Sequence, residues 1–300
     1  MHDIIVVGGG PAGMTAALYC LRNGRSALVI EKSGFGGQIT HSPKVENYPG
    51  TLQMSGNEFA ERLLDQILTQ GADIELENVT SVAKDEDGFT VRTEEGTEHR
   101  GRAVILATGA AHRLLGLPGE AELTGEGVSY CAICDGDFYS GKDVCVVGGG
   151  NSALQEAVLL SDICRSVTIL QDMDFLTGEQ KLQDVLAKRA NVRVITGVRV
   201  TALLQENGAL TGVSVDTRDG AKSVTCDGLF VAIGLVPHNE PFADCADLDA
   251  AGYFDADERC LTRTPGLYVA GDCRRKGIRQ LATAIADGAT AAMQACRDLN

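Results

Sequence analysis

Short apolar runs that end in glycine are the main pattern at the start of the chain. Residues 4–7 are all Ile or Val and lead into Gly8-Gly9-Gly10-Pro11-Ala12-Gly13, followed by a helical stretch over residues 14–23. A second apolar run, residues 27–30, ends at Glu31. Strand, glycine-rich turn, helix and a strand with a terminal acid are typical of a dinucleotide-binding βαβ unit. The pattern predicts such a unit, and an ordinary tight βα turn is the alternative.

The same pattern occurs a second time. Residues 144–147 are apolar and lead into Gly148-Gly149-Gly150-Asn151-Ser152-Ala153, a helical stretch to Asp162 and a strand over residues 166–170. Apolar runs at 104–107 and 229–233 also end in glycine and mark positions where the chain can leave a domain. A strand at 267–270 and a helix from Gln280 would complete the first unit. The sequence therefore predicts an α/β protein with two Rossmann-like nucleotide-binding domains.

Charge and composition narrow the class of partner. The chain of 300 residues has a formal net charge of −15, which opposes binding to nucleic acid and to anionic membrane surfaces. No stretch approaches the roughly 20 consecutive apolar residues of a membrane span. The first strand begins too early to leave room for a secretory signal. We expect a cytoplasmic protein without nucleic-acid or membrane partners.

Cysteine spacing points to redox chemistry. Of ten cysteines, eight stand alone in the sequence, and isolated cysteines commonly act as small core residues. Cys131 and Cys134 form a C-x-x-C pair, which in a reducing compartment is typical of a redox-active or a metal-binding site. No second pair or closely spaced His completes a zinc tetrad, so we predict a redox-active disulfide and no metal.

Taken together, these motifs resemble the low-molecular-weight, bacterial-type thioredoxin reductases over nearly the whole chain. The matching segments occur in the family's order; they are residues 8–13, 36–38, 45–50, 107–109, 131–136, 148–153, 271–272 and 279–280. The resemblance implies the FAD/NAD(P)-linked disulfide reductase fold. An FAD domain would comprise residues 1–112 and 242–300, and a pyridine-nucleotide-type domain carrying the C-x-x-C pair would comprise residues 113–241. It also implies a homodimer with thioredoxin as substrate.

The resemblance assigns the FAD-binding residues. The first glycine-rich turn and Glu31 would bind the ADP half, while Gln38, Asn47, Asp272 and Gln280 would surround the ribityl and flavin portions. The full predicted set is Gly8, Gly10, Pro11, Ala12, Gly13, Glu31, Lys32, Gly37, Gln38, Asn47, Ala107, Thr108, Gly109, Asp272, Arg279, Gln280 and Leu281.

Three residues are the predicted catalytic group. By the resemblance, Cys134 lies against the flavin and receives its electrons, whereas Cys131 attacks the thioredoxin disulfide. Asp135 corresponds to the family's acid–base residue; partial burial would raise its pKa and let it donate a proton to a departing thiolate. The alternative for Asp135 is a carboxylate that merely stabilises a helix N-terminus.

The second nucleotide site departs from the family where the cofactor is selected. Its predicted residues are Gly148, Gly150, Asn151, Ser152, Ala153 and Gln171, which stands where Glu31 stands in the first unit. Family members that use NADPH have an H-R-R-x-x-x-R pattern whose arginines pair with the 2′-phosphate. This chain instead has Gln171-Asp172-Met173-Asp174-Phe175-Leu176-Thr177, so NADPH is disfavoured.

Two electron donors remain open: NADH, or reduced ferredoxin acting directly on FAD with a vestigial nucleotide site. One hypothesis makes the basic run Arg274-Arg275-Lys276 a binding surface for an acidic ferredoxin. The alternative is that these residues form an ordinary solvated turn. Two other activities are compatible with the pattern. One is a flavin-dependent dithiol oxidase that uses oxygen, and the other is a non-catalytic flavin redox sensor.

Overall fold

The computed structural model describes residues 1–42 and 45–299, which fold into two compact units. The first unit comprises Met1–Ala111 and Val236–Asn300, and the second comprises His112–Leu235. The domain boundaries predicted from the sequence stood after residues 112 and 241.

The helices and strands alternate along most of the chain. The helices are α1 (Pro11–Arg22), α2 (Gly56–Thr69), α3 (Glu120–Leu123), α4 (Ala132–Asp135), α5 (Asn151–Ile163), α6 (Gln180–Leu186) and α7 (Leu281–Asp298). The strands are β1 (His2–Val7), β2 (Ala27–Glu31), β3 (Asp73–Leu76), β4 (Val79–Asp85), β5 (Gly88–Thr93), β6 (Glu98–Leu106), β7 (Ala111–His112), β8 (Val128–Ser129), β9 (Asp143–Val147), β10 (Ser166–Leu170), β11 (Val192–Ile195), β12 (Arg199–Glu206), β13 (Ala209–Thr217), β14 (Gly220–Thr225), β15 (Gly228–Val231), β16 (Leu235–Val236) and β17 (Leu267–Val269).

The first unit is built on one mixed sheet whose central strand is buried on both faces. The order is β3-β2-β1-β6-β5-β4, and β17 pairs with β6. Strands β1, β2, β3, β6 and β17 pair in parallel, while β4 and β5 are antiparallel. Alternate residues of β1 enter different cores: Ile4 and Val6 pack with α1, α2 and α7, whereas Ile5 and Val7 face Phe89 and Phe254. A continuous apolar run is required because both faces are covered.

The second unit has a five-stranded parallel sheet in the order β11-β10-β9-β15-β8 and a three-stranded antiparallel sheet, β12-β13-β14. Helix α5 covers one face of the parallel sheet, where Leu154 and Leu160 are wholly buried beside Phe230. The predicted α/β class is confirmed. In residues 1–42 and 45–299, no helix combines the length and the apolar composition that a membrane span requires.

Both units contain the same close backbone crossing, after β1 in the first unit and after β9 in the second. A Cβ at Gly8 would lie 2.3 Å from Ala107 O, and one at Gly148 would lie 2.4 Å from Ala232 O. Both glycines have φ in the left-handed region, at 110° and 128°. Only glycine fits these conditions without strain. A further contact closes the first unit, because a Cβ at Gly288 of α7 would lie 2.2 Å from Ala12 O of α1.

We predict that Gly288→Ala destabilises the protein by about 1–3 kcal/mol, because α7 must move away from α1 to admit the methyl group. The gain in helix propensity from alanine, at most about 1 kcal/mol, offsets part of this effect. Urea unfolding followed by circular dichroism measures the change. Gly34→Ala is the matched control, since no atom lies within 4 Å of its Cβ position. Equal unfolding midpoints for the two variants would contradict the packing account.

Candidate active site

The first glycine-rich turn leaves an open place at the beginning of α1. Helix α1 begins with Pro11 after the N-cap residue Gly10, and among the described residues no side chain caps it. No atom lies within 4 Å of the Cβ position of Gly10, whereas Gly13 packs against Gly8. The first N–H groups of the helix are therefore available to an anion, and they suit the pyrophosphate of FAD.

Glu31 lies at the end of β2, where the sequence predicts it. Its side chain is buried; Oε2 accepts a hydrogen bond from the Gly9 N–H at 2.7 Å, and Oε1 accepts one from the Ser33 N–H at 3.1 Å. The Gly36 N–H donates to Gly9 O at 2.8 Å, so the segment after β2 folds back over the turn. A carboxylate oxygen has lone pairs for further donors, which leaves Glu31 able to accept from a ribose hydroxyl. Lys32, Gly37 and Gln38 are exposed in the same segment.

The end of β6 brings in a residue that sequence reasoning missed. Ala107 is buried, and Gly109 follows with φ at 69°. Thr108 Oγ1 donates to Asn239 Oδ1 at 2.8 Å, and Nδ2 of the fully buried Asn239 donates to the carbonyls of Gly252 and Cys273. Asn239 thus ties three segments together, although its sequence surroundings give no signal of this.

Three of the predicted flavin-side residues, Asn47, Asp272 and Gln280, also gather around the beginning of α7. Gln280 caps this helix, whose first residue is Leu281, and Asn47 Nδ2 donates to Gln280 Oε1 at 3.2 Å. Arg279 stacks on the Tyr253 ring at 4.0 Å and donates through Nε to Asp272 O at 3.2 Å. Amide and carboxylate groups of this kind match the ribityl hydroxyls and flavin edge atoms, so the donor set fits FAD.

Asp272 lies where the chain leaves β17. Burial raises the pKa of its carboxyl group, and the nearby charge of Lys276 partly opposes that shift. Its Oδ1 lies 3.2 Å from Lys276 Nζ. The group is well placed to accept a hydrogen bond from a buried hydroxyl group.

The basic run at residues 274–276 is not an exposed surface, and that part of the sequence prediction is wrong. The side chains of Arg274 and Lys276 are 8% and 9% exposed, and both pair with Asp287 of α7, at 2.9 and 3.1 Å. Only Arg275 is exposed, and it pairs with Asp255 at 2.8 Å. Nothing in the sequence pattern indicates this pairing, because Asp287 stands in an alanine-rich helical stretch far from the run.

The C-x-x-C pair forms the predicted disulfide, which is confirmed. Cys131 and Cys134 are bonded across a Cα–Cα distance of 5.3 Å. Cys131 precedes α4, and its Sγ accepts a hydrogen bond from the Cys134 N–H at 3.2 Å. Ser129 supports this turn, because its Oγ accepts from the Cys131 N–H at 3.1 Å and donates to Asp135 Oδ2 at 2.6 Å.

Asp135 is connected to the disulfide turn through Ser129. Burial raises the pKa of the Asp135 carboxyl group, and the hydrogen bond from Ser129 opposes part of the shift. Its Oδ1 is buried without a hydrogen-bond partner among the described residues. A raised pKa, as the sequence predicts, keeps this carboxyl group protonated to a higher pH than an exposed aspartate, so it can serve as a proton donor.

The second glycine-rich turn has the same shape as the first but different chemistry. Helix α5 begins at Asn151 after Gly150, and Thr177 N–H and Gly178 N–H both donate to Gly149 O at 2.8 Å. Gln171 is buried and donates through Nε2 to Phe175 O at 3.3 Å. The amide of Gln171 thus bonds within its own loop, whereas the carboxylate of Glu31 bonds both to Gly9 of the turn and to Ser33 of its own segment.

The remaining second-site residues lie along the same turn. Asn151 Oδ1 accepts from the Glu179 N–H at 2.7 Å, Ser152 is exposed and Ala153 is buried. The loop after Gln171 carries the exposed acids Asp172 and Asp174, and Arg218 forms an ion pair with Asp174. The described part of this loop therefore presents acidic rather than basic groups to a nucleotide phosphate.

We predict that Asp287→Asn destabilises the protein by about 3–5 kcal/mol, because the guanidinium of Arg274 and the ammonium of Lys276 stay buried with their shared carboxylate lost. Asp255→Asn is the control, since its partner Arg275 is exposed and such pairs contribute about 0–1 kcal/mol. Urea denaturation of both variants measures the two losses. A cost below about 1 kcal/mol for Asp287→Asn would show that Asp287 does not hold the basic run.

Known proteins resemble this chain over nearly its whole length. The family model described as pyridine nucleotide-disulphide oxidoreductase matches residues 2–288. A thioredoxin reductase of Listeria monocytogenes is 40% identical over 297 residues, covering 98% of this chain and 93% of that protein. A Clostridium pasteurianum protein, named as a 34.2 kDa protein in a rubredoxin operon, is 38% identical over 98% of this chain and 96% of its own length. The crystal structure of thioredoxin reductase from Streptococcus pyogenes superimposes with a TM-score of 0.92 at 34% identity, covering 100% of this chain and 98% of that one.

Proposed function

Because this chain belongs to the pyridine nucleotide-disulphide oxidoreductases and, among them, to the bacterial-type thioredoxin reductases, we propose that it reduces the disulfide of a thioredoxin through Cys131 and Cys134. The observation that carries the proposal is the Cys131–Cys134 disulfide, held next to a carboxyl group with a raised pKa. A redox pair needs both a sulfur that can become a thiolate and a group that can hold a proton.

FAD is the cofactor for which the first unit provides a fitting donor set. We propose that the first turn of α1 and Glu31 hold its ADP half, and that Asn47, Asp272 and Gln280 hold its ribityl and flavin portions. When bound and reduced by the electron donor, the flavin would supply the electron pair that opens the Cys131–Cys134 disulfide. The protein residues orient the cofactor and leave the α1 N–H groups to its phosphates.

The exchange with thioredoxin then follows ordinary thiol–disulfide chemistry. The Cys131 thiolate attacks one sulfur of the thioredoxin disulfide, which forms a mixed disulfide and releases the other thioredoxin sulfur as a thiolate. Asp135 supplies the proton that this leaving sulfur takes up. The Cys134 thiol then passes its proton to Asp135 and attacks Cys131, which restores the internal disulfide. Asp135 returns this proton to the second thioredoxin sulfur, and thioredoxin leaves as a dithiol. Two electrons leave this chain and two protons accompany them to thioredoxin.

We predict that Cys131→Ser and Cys134→Ser each lower thioredoxin reduction at least about a thousandfold, because the exchange needs both sulfurs. Both variants should stay yellow, since neither residue belongs to the proposed FAD-binding set. The measurement is reduction of a thioredoxin disulfide under anaerobic conditions, together with the flavin absorbance spectrum.

Cys164→Ala is the control for this pair, because Cys164 is a buried free cysteine in the second unit. It should retain its activity. Full turnover by Cys131→Ser or Cys134→Ser would exclude the proposed route, and rapid peroxide formation without thioredoxin would favour the oxidase instead.

The electron donor is proposed to be NADH or reduced ferredoxin rather than NADPH. Support comes from the loop after β10, where Asp172 stands in place of a cationic group, Asp174 adds a second acid and Arg218 is already paired with Asp174. A phosphate dianion would meet repulsion there, while the hydroxyls of an unphosphorylated ribose would not. The preserved turn at Gly148 favours a nucleotide. Burial of Arg274 and Lys276 removes the surface that the sequence suggested for ferredoxin. The homodimer implied by the resemblance stays a prediction.

We predict that NADPH bleaches the flavin at least about tenfold more slowly than the true donor, because the 2′-phosphate lacks a cationic partner. NADPH, NADH and photoreduced ferredoxin are offered separately under anaerobic conditions, and flavin absorbance is followed. The variant Gln171→His/Asp172→Arg/Met173→Arg/Thr177→Arg should raise the rate with NADPH at least about tenfold.

A matched variant makes the same change in net charge away from the loop, at the exposed positions Glu61, Gln66 and Thr69 of α2, each replaced by Arg. It should leave donor preference unchanged. Fast bleaching of the unaltered protein by NADPH would overturn the proposed donor preference without touching the proposed disulfide chemistry.

A further inference from the structure

The carboxyl group of Glu120 lies at the centre of a hydrogen-bond cluster in the second unit that the proposed exchange does not use. Glu120 begins α3 and is 4% exposed. Its Oε1 accepts from the Leu115 N–H at 2.8 Å, and its Oε2 accepts from the N–H groups of Gly116 and Leu117 at 2.8 and 3.3 Å. The Tyr130 hydroxyl donates to Oε1 at 2.9 Å. Since all four partners are donors, the cluster suits a carboxylate, which only accepts.

Two glycines bend the chain around this carboxylate. Gly116 and Gly119 have φ at 72° and 83°, in the left-handed region that glycine enters without a steric cost. The bends turn three consecutive N–H groups, at residues 115–117, towards a side chain that follows three to five residues later. Removing the carboxylate would leave these N–H groups without this acceptor, so Glu120 fixes the conformation of the segment.

Tyr130 connects the Glu120 cluster to the redox pair. It stands directly before Cys131, and its ring stacks on the His112 ring with 5.2 Å between the centroids and 28° between the planes. Burial raises the pKa of Tyr130 to about 12, and the hydrogen bond to Glu120 adds to the rise, so the hydroxyl keeps its proton and donates at neutral pH. The side chain is thus held at its hydroxyl group by Glu120 and at its ring face by His112.

The residues on either side of Tyr130 are also held in place. Ser129 ends β8, which pairs in parallel with β15, and the Ser129 Oγ accepts from the Cys131 N–H at 3.1 Å. Cys131 has an extended backbone, with φ at −152°, and caps α4. The approach to the redox pair is therefore anchored at residues 129 and 130 by contacts that do not depend on the disulfide bond.

We propose that Glu120, acting through Tyr130, is a positioning residue that keeps the Cys131–Cys134 turn arranged for disulfide closure after its two sulfurs have been reduced. The inference rests on the proposed function, which has this pair open and close in every cycle. In the disulfide state the covalent bond itself limits the motion of the turn. In the dithiol state that limit is lost, and a turn that stays ordered closes again at a smaller cost in conformational entropy. Loss of the anchor therefore favours the dithiol over the disulfide.

The test measures the equilibrium constant for disulfide formation at this pair in the FAD-containing protein. The protein is equilibrated without oxygen in mixtures of dithiothreitol and its cyclic disulfide. Each protein disulfide that is reduced to two thiols converts one dithiothreitol to the cyclic form, so electrons and protons balance. Acid quenching, alkylation in denaturant and mass spectrometry then separate chains with eight free thiols from chains with all ten cysteines reduced.

Two variants remove the anchor in different ways. Tyr130→Phe deletes the hydroxyl group and keeps the ring that stacks on His112; it should lower the constant at least about threefold. Glu120→Gln keeps the size of the side chain but sets an amide NH2 group against at least one backbone N–H, and it should lower the constant by at least as much. Tyr268→Phe is the matched control, because it removes a hydroxyl that donates to Asp298 Oδ2 at 2.7 Å in the first unit; it should leave the constant unchanged.

An unchanged constant in Tyr130→Phe would overturn the proposal, and so would an equal fall in Tyr268→Phe. A lower free energy of unfolding with an unchanged constant would show that the cluster serves the fold alone, which also contradicts it. If Glu120→Gln does not fold, Tyr130→Phe decides the question, since it leaves the three backbone bonds of Glu120 in place. The equilibrium involves neither thioredoxin nor an electron donor of the flavin. A failure here is therefore separate from a failure of thioredoxin reduction.

Discussion

Backbone crowding at the two glycine-rich turns is the constraint on which the rest of the structure depends. After β1 and again after β9, the chain passes a neighbouring strand at a distance that excludes any Cβ, at Gly8 beside Ala107 and at Gly148 beside Ala232. This closeness brings the first N–H groups of α1 and α5 to the carboxyl ends of their sheets, where a ligand of an open α/β sheet binds. The same residues that permit packing thus create the binding place, and a larger side chain would remove both.

Sequence patterns predicted the features that depend on neighbours in the chain. The apolar runs predicted the parallel strands, the C-x-x-C spacing predicted the disulfide, and Asp135 next to it carries the raised pKa that was expected. Features that depend on distant partners were missed. Asn239 joins Thr108, which stands 131 residues earlier, and Asp287 reaches back to Arg274. A run of three basic residues ordinarily indicates an exposed surface. Here Asp287 of α7 pairs with Arg274 and Lys276, whose side chains are buried.

The two turns also show how a carboxylate in one unit and an amide in the other give matching positions different hydrogen bonds. Glu31 and Gln171 stand at matching positions, yet a carboxylate can only accept hydrogen bonds, whereas an amide also donates. Glu31 consequently accepts from the Gly9 N–H of its turn and from the Ser33 N–H, whereas Gln171 donates to the carbonyl of Phe175. The same backbone arrangement therefore presents the Glu31 carboxylate as an acceptor for a sugar hydroxyl in the first unit. In the second unit it presents the Gln171 amide, whose Nε2 already donates to the Phe175 carbonyl.

The eight cysteines outside the Cys131–Cys134 pair are placed where they do not compete with it for disulfides. All eight are buried and reduced, and burial raises the pKa of several, including Cys164 and Cys260. Thiol–disulfide exchange needs a free line of approach to the sulfur, and burial closes that approach for all eight. The buried cysteines can thus serve as core residues, because a disulfide in solution cannot reach their sulfur atoms. Burial of the other eight leaves the partly exposed Cys131–Cys134 pair as the sulfur that a disulfide partner of the proposed function can reach.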